Sequence, residues 1–482
     1  MKYSSLFLLL FAFTVVGTAV QAQTATEENT EISLHVAGLP SAWVRLQGVQ
    51  GNVKSKLDSV QLDAQGNALF KYGVRLDPGC YELLLPNDVV LPVLLDEDQT
   101  VALSTQATCP IECMQVRGSF ENTLLYNTLQ YDTNLGVRFQ AQVEELQAMG
   151  QQLDQAQIDQ LRQQYFFEQK NYYTSIFSEY PNSLFTKYEK AKQAPAILND
   201  IVADPTLDVA ARQEGMLSHF WDNVDFSDER LLHTTVAFDK LWEYMNRYVP
   251  NQTDIKLQAV DILMEKVLDH PAYYKFFAKW LADDYMPPFN GQMDPDAFYI
   301  HMVDNYLTTE RAFWTDSLHL YAYQLRAEDM RNSLVGMKGE SFQACDPAGR
   351  EYALDDIKAP YIALFFYHSD CEHCIKETPV MVQRYREMKD QGLEVVAVAM
   401  STPEDEWNAF IEKNEMDWIN VTDADNNSIY KKYFVRATPE IYLLNPDRTI
   451  IGKHLSPDDV TLVMQMDRMQ RLKNKEVLAG EQ

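Results

Sequence analysis

Three kinds of hydrophobic patterning follow one another along the chain. From residue 31 to about 118, segments such as SLHVAGL, NALFKYGV, YELLLP and VVLPVLL are short and rich in branched or aromatic residues. Turn-forming DAQGN, DPGC and LPND separate them, which predicts a small antiparallel β-sandwich over 23–118. From about 119 to 335 the period becomes helical. In TDIKLQAVDILMEKVLDH, Leu257, Val260, Met264, Val267 and Leu268 form one apolar stripe. Ser227 and Asp228 stand where they can cap a helix through ERLLHTTVAFDKLWEYM, and Pro250, Pro271, Pro287 and Pro288 divide the region. An all-α module is expected over 119–335.

Beyond Gly336 and Gly339 the pattern changes again. YIALFFYH and LEVVAVAM read as strands buried on both faces, with a helix through MVQRYREMKDQG between them. Thr402, Pro403, Glu404 and Asp405 combine a hydroxyl cap, a first-turn proline and acids suited to a positive helix end. EIYLLNPDRTIIGKHL predicts two strands turning at Asn445–Asp447, and a last helix starts near Ser456. Residues 336–482 therefore read as an α/β domain with a central sheet flanked by helices.

A length of 482 residues suits about three domains. A formal charge of −29 argues against nucleic acid, whose phosphates demand a basic face. Lys2, the apolar run LFLLLFAFTVV and small residues at AVQAQ predict a secretory signal peptide over 1–22, cleaved near Ala22. The apolar run is shorter than the ~20 residues of a membrane span. A soluble, periplasmic mature protein without a membrane span is expected.

Export changes how the six cysteines read, because disulfides persist outside the cytosol. Cys109 and Cys113 flank PIE and can bridge each other, or one can reach Cys80; a local staple with one buried free thiol is the preferred reading. His219, His233, His301 and His319 lack the spacing that sets two rings on one helical face. The acids of QMDPDAF lack the spacing of a calcium loop and read as helix-start residues, so no metal site is expected. Trp221, Trp242, Trp280 and Trp314 are read as packing between helices rather than as a peptide groove.

The candidate chemistry lies in YHSDCEHCIKETP. Cys371 falls where a strand has ended and a helix begins, so unpaired backbone N–H groups and the helix dipole favour its thiolate. Cys374, one turn on, is shielded, and the i, i+3 spacing lets the two sulfurs close a ring. Cys371 can attack a disulfide and Cys374 can resolve the mixed disulfide. His373 favours the thiolate, whereas Glu372 and Asp370 oppose it. Structural zinc needs four ligands, and no second CxxC is present. An inert disulfide is a poor match for an activating strand-to-helix junction. Redox work is the preferred reading.

With these residues in hand, 336–475 resembles the thioredoxin-like family, in particular the exported TlpA/ResA-like thiol–disulfide oxidoreductases. FQACDPAGREYALDDIKAPYIALFFYHSDCEHC is similar to the stretch leading into that family's CxxC. The resemblance implies a thioredoxin-like fold, with Cys371 as nucleophile, Cys374 as resolving thiol and Glu377 as acid/base. It also implies that Thr438 and Pro439, in VRATPEIYLL, form a cis-proline platform for substrate. Two departures stand out. Asp370 replaces the aromatic residue often found before the first cysteine, and Phe365 stands where thioredoxin has a buried aspartate. Glu377 is then the only nearby proton carrier.

Upstream, VRGSFENTLLYN resembles the passage from a small β domain into helices in multidomain TlpA-like proteins. FWDNVDFSDERLLHTT is similar to a module of unknown function that precedes thioredoxin domains in Bacteroidota. The implied function is disulfide exchange with envelope proteins, as reductant or isomerase, with no cofactor and with electrons from a membrane donor. The alternative is an envelope scaffold in which the thioredoxin fold is an adaptor with little turnover. Peroxidase activity is disfavoured because both cysteines sit in one CxxC.

Overall fold

The computed structural model describes residues 29–149, 154–287, 293–400, 402–423 and 428–480. The expected leader at 1–22 and Pro288 lie outside them. The chain divides into two compact units. The first runs to Phe185 apart from Gln50–Asn52; the second holds Gln50–Asn52 and Thr186–Gln482.

Among its described residues the first unit carries eight strands: β1 (Thr30–Ala37), β2 (Trp43–Gln50), β3 (Val53–Gln61), β4 (Asn67–Tyr72), β5 (Gly79–Leu84), β6 (Val90–Leu95), β7 (Thr100–Gln106) and β8 (Gln115–Arg117). They form two four-stranded sheets, ordered β4-β1-β7-β8 and β3-β2-β5-β6. Alternation buries one face of β1 at Ile32, Leu34 and Val36; on β6 Leu91, Val93 and Leu95 share a buried face, and Leu94 on the other face is buried as well. One expectation fails. β1 and β7 pair in parallel, with Ile32 opposite Val101, so the domain is not wholly antiparallel. Between β1 and β7 the chain builds the other sheet in two excursions, returning once as β4, and that path provides the long connection a parallel neighbour requires.

Two helices follow, α1 (Phe120–Ala148) and α2 (Gln155–Glu179). Ser119 caps α1 by accepting from Asn122 N. The buried Asn122 side chain accepts from Leu94 N at 2.9 Å and donates to Leu94 O at 2.6 Å, pinning α1 to the edge of β6. Cys109 and Cys113 form a disulfide, the local staple preferred from the sequence, and Cys80 is buried outside that bridge.

The middle helices are α3 (Leu184–Lys192), α4 (Ile197–Ala203), α5 (Val209–His219), α6 (Val236–Glu243), α7 (Thr253–Lys266), α8 (Pro271–Asp283), α9 (Pro295–Asn305) and α10 (Ser317–Arg331). The helix expected after Ser227 is broken. Asp228 caps only a short 3-10 turn at Glu229–His233, where Thr234 O–H bonds back to Leu231 O, and α6 starts beyond. On α7 the stripe covers Val260 and Met264, but Leu268 lies past the helix end and is exposed. Trp221 packs on Phe277 at 5.5 Å between ring centroids within the helical core, and Trp280 is also buried. Trp242 is exposed.

The C-terminal domain contains β9 (Gln343–Cys345), β10 (Glu351–Ala353), β11 (Tyr361–Tyr367), α11 (Glu372–Met388), β12 (Leu393–Ala399), α12 (Glu404–Lys413), β13 (Ile419–Thr422), α13 (Ser428–Lys432), β14 (Glu440–Leu444), β15 (Ile450–Gly452) and α14 (Pro457–Gly480). The sheet order is β10-β9-β13-β12-β11-β14-β15. Central β11 is buried along its whole length, parallel to β12 and antiparallel to β14. Hydrophobic clusters cover both sheet faces, which is why β11 reads as an unbroken apolar run. At α12 the N-cap is Pro403; Thr402 does not cap, because its hydroxyl donates to Met400 O at 2.8 Å. No helix among the described residues is long and apolar enough to cross a membrane.

Candidate active site

The end of β11 delivers the chain to the start of α11, and Cys371 is that helix's N-cap. Its Sγ accepts from Cys374 N at 3.4 Å and donates to Thr438 O at 3.1 Å. Burial alone would raise the Cys371 thiol. Hydrogen bonds from the Cys374 thiol and from the N–H groups of Cys374 and His373 outweigh it and hold the thiol below its ordinary value. Cys374 is different. It is fully buried, and burial first, then its bond to Cys371, push it up to about 12. One sulfur is poised to ionise and the other is kept protonated.

The Thr438–Pro439 peptide is cis and lies across from Cys371. Glu377, on the same helix as both cysteines, is half-buried. Burial raises its carboxyl above the ordinary range, against an opposing effect of His373. Glu372 and His373 are exposed. What His373 gives Cys371 is its backbone N–H, while its ring acts on Glu377. Asp370 is exposed, and Phe365 is buried, stacked on Tyr367 at 5.6 Å.

Sequence reasoning missed the groups that brace this junction. Tyr367 O–H accepts from Trp407 Nε1 at 2.9 Å, and Tyr430 O–H donates to Tyr367 O at 3.1 Å. Glu440, the residue after Pro439, accepts at 2.7 Å from His454 N and pairs at 2.7 Å with His454 Nδ1. Apolar periodicity carries no sign of these partners, since each pairing joins distant segments. Cys345 is a half-buried free thiol on β9. His219, His301 and His319 each pair with one carboxylate, of Asp222, Asp261 and Asp316. No group of three or more metal-ligating side chains occurs among the described residues.

Comparison with known proteins matches this same part of the chain. Residues 335–453 match the AhpC/TSA family, and residues 201–333 match a domain of unknown function, DUF5106. The thiol-disulfide oxidoreductase ResA of Bacillus subtilis is 29% identical over 116 residues, which is 24% of this chain and 64% of the relative. The ResA of Bacillus cereus is 25% identical over 131 residues, 27% of this chain and 75% of the relative. A thioredoxin-like protein from Bacteroides caccae is 21% identical, covering 56% of this chain and 97% of that one, with a TM-score of 0.45. The matched residues 335–453 enclose both cysteines and the cis-proline turn, and over this C-terminal part the chain is similar to the thiol–disulfide oxidoreductase ResA, of whose length in Bacillus subtilis it spans less than two thirds.

Proposed function

We propose that this chain is an exported thiol–disulfide oxidoreductase that exchanges disulfides with envelope proteins through Cys371 and Cys374, as reductant or isomerase. The carrying observation is the asymmetry of the two thiols, one lowered at a helix N-cap and one buried and raised to about 12. The Cys371 thiolate attacks one sulfur of a substrate disulfide. That S–S bond breaks, the leaving thiolate takes a proton, and a mixed disulfide forms. Cys374 then loses its proton and attacks Cys371 Sγ, releasing the second substrate thiol. The substrate gains two electrons, and the pair closes as a disulfide for a membrane donor to reduce.

Glu377, with its raised carboxyl, suits the proton transfers at Cys374. Thr438 and Pro439 serve as the platform on which a substrate strand lies beside Cys371. Glu372 and His373 tune the site from the helix start, His373 mainly through its N–H. Export to the periplasm rests on the leader pattern at 1–22. In this reading the two four-stranded sheets are the faces of a sandwich over 23–118, the helical module spans 119–335 and the redox domain 336–482.

Insulin reduction by dithiothreitol tests the proposal, comparing wild type with Cys371→Ser. Wild type should accelerate the reaction and Cys371→Ser should not. Background turnover in both would instead favour a scaffold role.

A further inference from the structure

A buried ionic cluster joins the helical module to the redox domain. Asp294 and Asp296 open α9 and are almost fully buried. Lys453, just after β15 and 0% exposed, sets its Nζ 2.5 Å from Asp296 Oδ2 and 3.6 Å from Asp294 Oδ1. It also donates to Ser333 O at 3.0 Å. Asp294 further accepts from Val335 N at 2.8 Å, at the passage between the two regions.

Next in the chain is His454, whose φ of +52° lies in the left-handed region that few non-glycine residues adopt. That turn directs its N–H and its Nδ1 at the two oxygens of Glu440, each at 2.7 Å, while Nε2 faces Asp296 Oδ2 at 3.7 Å. Glu440 opens β14 directly after the cis Thr438–Pro439 bond. Its backbone is held beside Phe366 of β11, so its side chain is the free end on which the clamp acts.

Burying two carboxylates and an ammonium is costly, and well-packed apolar residues could fill the same space at less cost. What the ions add is a fixed direction. They tie α9 to His454, His454 to Glu440, and Glu440 to the residues across from Cys371.

We propose that Asp296 and His454 are positioning residues for disulfide exchange: from the helical module, they hold Glu440 and thereby the Thr438–Pro439 edge in register to receive a substrate strand beside Cys371. The inference rests on the platform role proposed above for Thr438 and Pro439. A displaced platform weakens strand binding, and small displacements at reacting groups are costly. A small disulfide that docks no strand does not need the platform.

The test uses the full chain as wild type, Asp296→Asn, His454→Asn and Cys371→Ser, with dithiothreitol as electron source. Asparagine tolerates the left-handed backbone at 454. Each protein is assayed on insulin and on 5,5′-dithiobis(2-nitrobenzoate). Asp296→Asn and His454→Asn should each raise KM for insulin about five-fold, the size expected of a coupling through packed polar groups, and leave turnover of the small disulfide within about two-fold. The double variant should be no worse than either single one, because both cut one link. An unchanged KM for insulin in folded Asp296→Asn overturns the inference alone. So does an equal loss on both substrates accompanied by a lower melting temperature, the mark of a purely structural cluster. If Asp296→Asn does not fold, His454→Asn decides by the same criteria. Wild type no faster than Cys371→Ser on insulin overturns both this inference and the proposed function.

Discussion

The two thiols of the CxxC should differ in reactivity by more than any sequence rule predicts. Cys371 lies below its ordinary 9.0 and Cys374 lies at about 12. At pH 7 a thiol titrating near 12 is ionised about once in 100,000 molecules, and one titrating at 9.0 about once in 100. The thiolate ratio therefore exceeds about a thousand-fold, before the lack of access to Cys374 is counted. A pulse of iodoacetamide on the reduced protein across pH 6–9, followed by peptide mass spectrometry, reads both rates. Of the CxxC pair, Cys371 alone should label until denaturant is added. Cys374→Ala removes the thiol that donates to Cys371 but keeps the backbone N–H bonds, so the Cys371 profile should move up by about one pH unit, the scale of one hydrogen bond to a charged sulfur. Labelling of Cys374 within ten-fold of Cys371, or an unmoved profile in Cys374→Ala, would refute the reasoning.

Other consequences concern stability. His454 lies among Asp296 of α9, Glu440 of β14 and the neighbouring Lys453 and Asp294. Burial lowers its affinity for a proton, but bonds to Asp296 and Glu440 win and raise it to about 9. Since this is above the 6.5 of a free imidazole, the stabilisation is complete below pH 6.5 and fades as pH rises through about 9. With the ring one-third exposed, urea melts should show about 1–2 kcal/mol lost over that window in wild type relative to His454→Asn. Lys453→Met strands two buried carboxylates and should cost about 3–5 kcal/mol, largely recovered when Asp294→Asn and Asp296→Asn are added; no recovery would mean the cost is one of packing. Asn122→Ala cuts both bonds to Leu94 and should destabilise the first unit by about 1–3 kcal/mol in denaturant melts. Replacing Cys109 and Cys113 by serine opens a very short loop and should cost about 2 kcal/mol, by the same measurement.

Local pattern carried most of the architecture. Strands buried on both faces, such as β11 and β12, announce themselves as unbroken apolar runs, and β1 announces its one buried face by alternation. Strand direction was not legible, because the same alternation suits a parallel or an antiparallel neighbour. The β1–β7 pairing depends on where the chain goes between them. The break at Thr234 was hidden for a related reason: the apolar period of ERLLHTTVAFDKLWEYM continues through it, and a hydroxyl bond to Leu231 O ends the turn. Thr402 shows the limit of cap signals, since its hydroxyl had a competing carbonyl two residues back.

At the site, the cysteines were legible because their chemistry depends on spacing and on a helix start, both local. Their asymmetry was legible in direction only. Burial of Cys374 comes from the cluster that closes over α11, to which residues from β11, β12 and α14 contribute. The acids of QMDPDAF mark the other boundary. Asp294 does cap α9, as its sequence suggests, by accepting from Asp296 N and Ala297 N. Nothing nearby foretells that Asp296 faces Lys453 and His454, because GKHL reads only as the tail of a hairpin. A lysine and a histidine at a strand end are ordinarily solvated, and the acids of α9 pair with both, with Lys453 fully buried and His454 still partly exposed. The module of unknown function therefore does more than precede the redox domain in the chain: two carboxylates at one helix start neutralise a lysine that the redox fold alone would leave unpaired, and that dependence is what makes coupling between the two regions measurable.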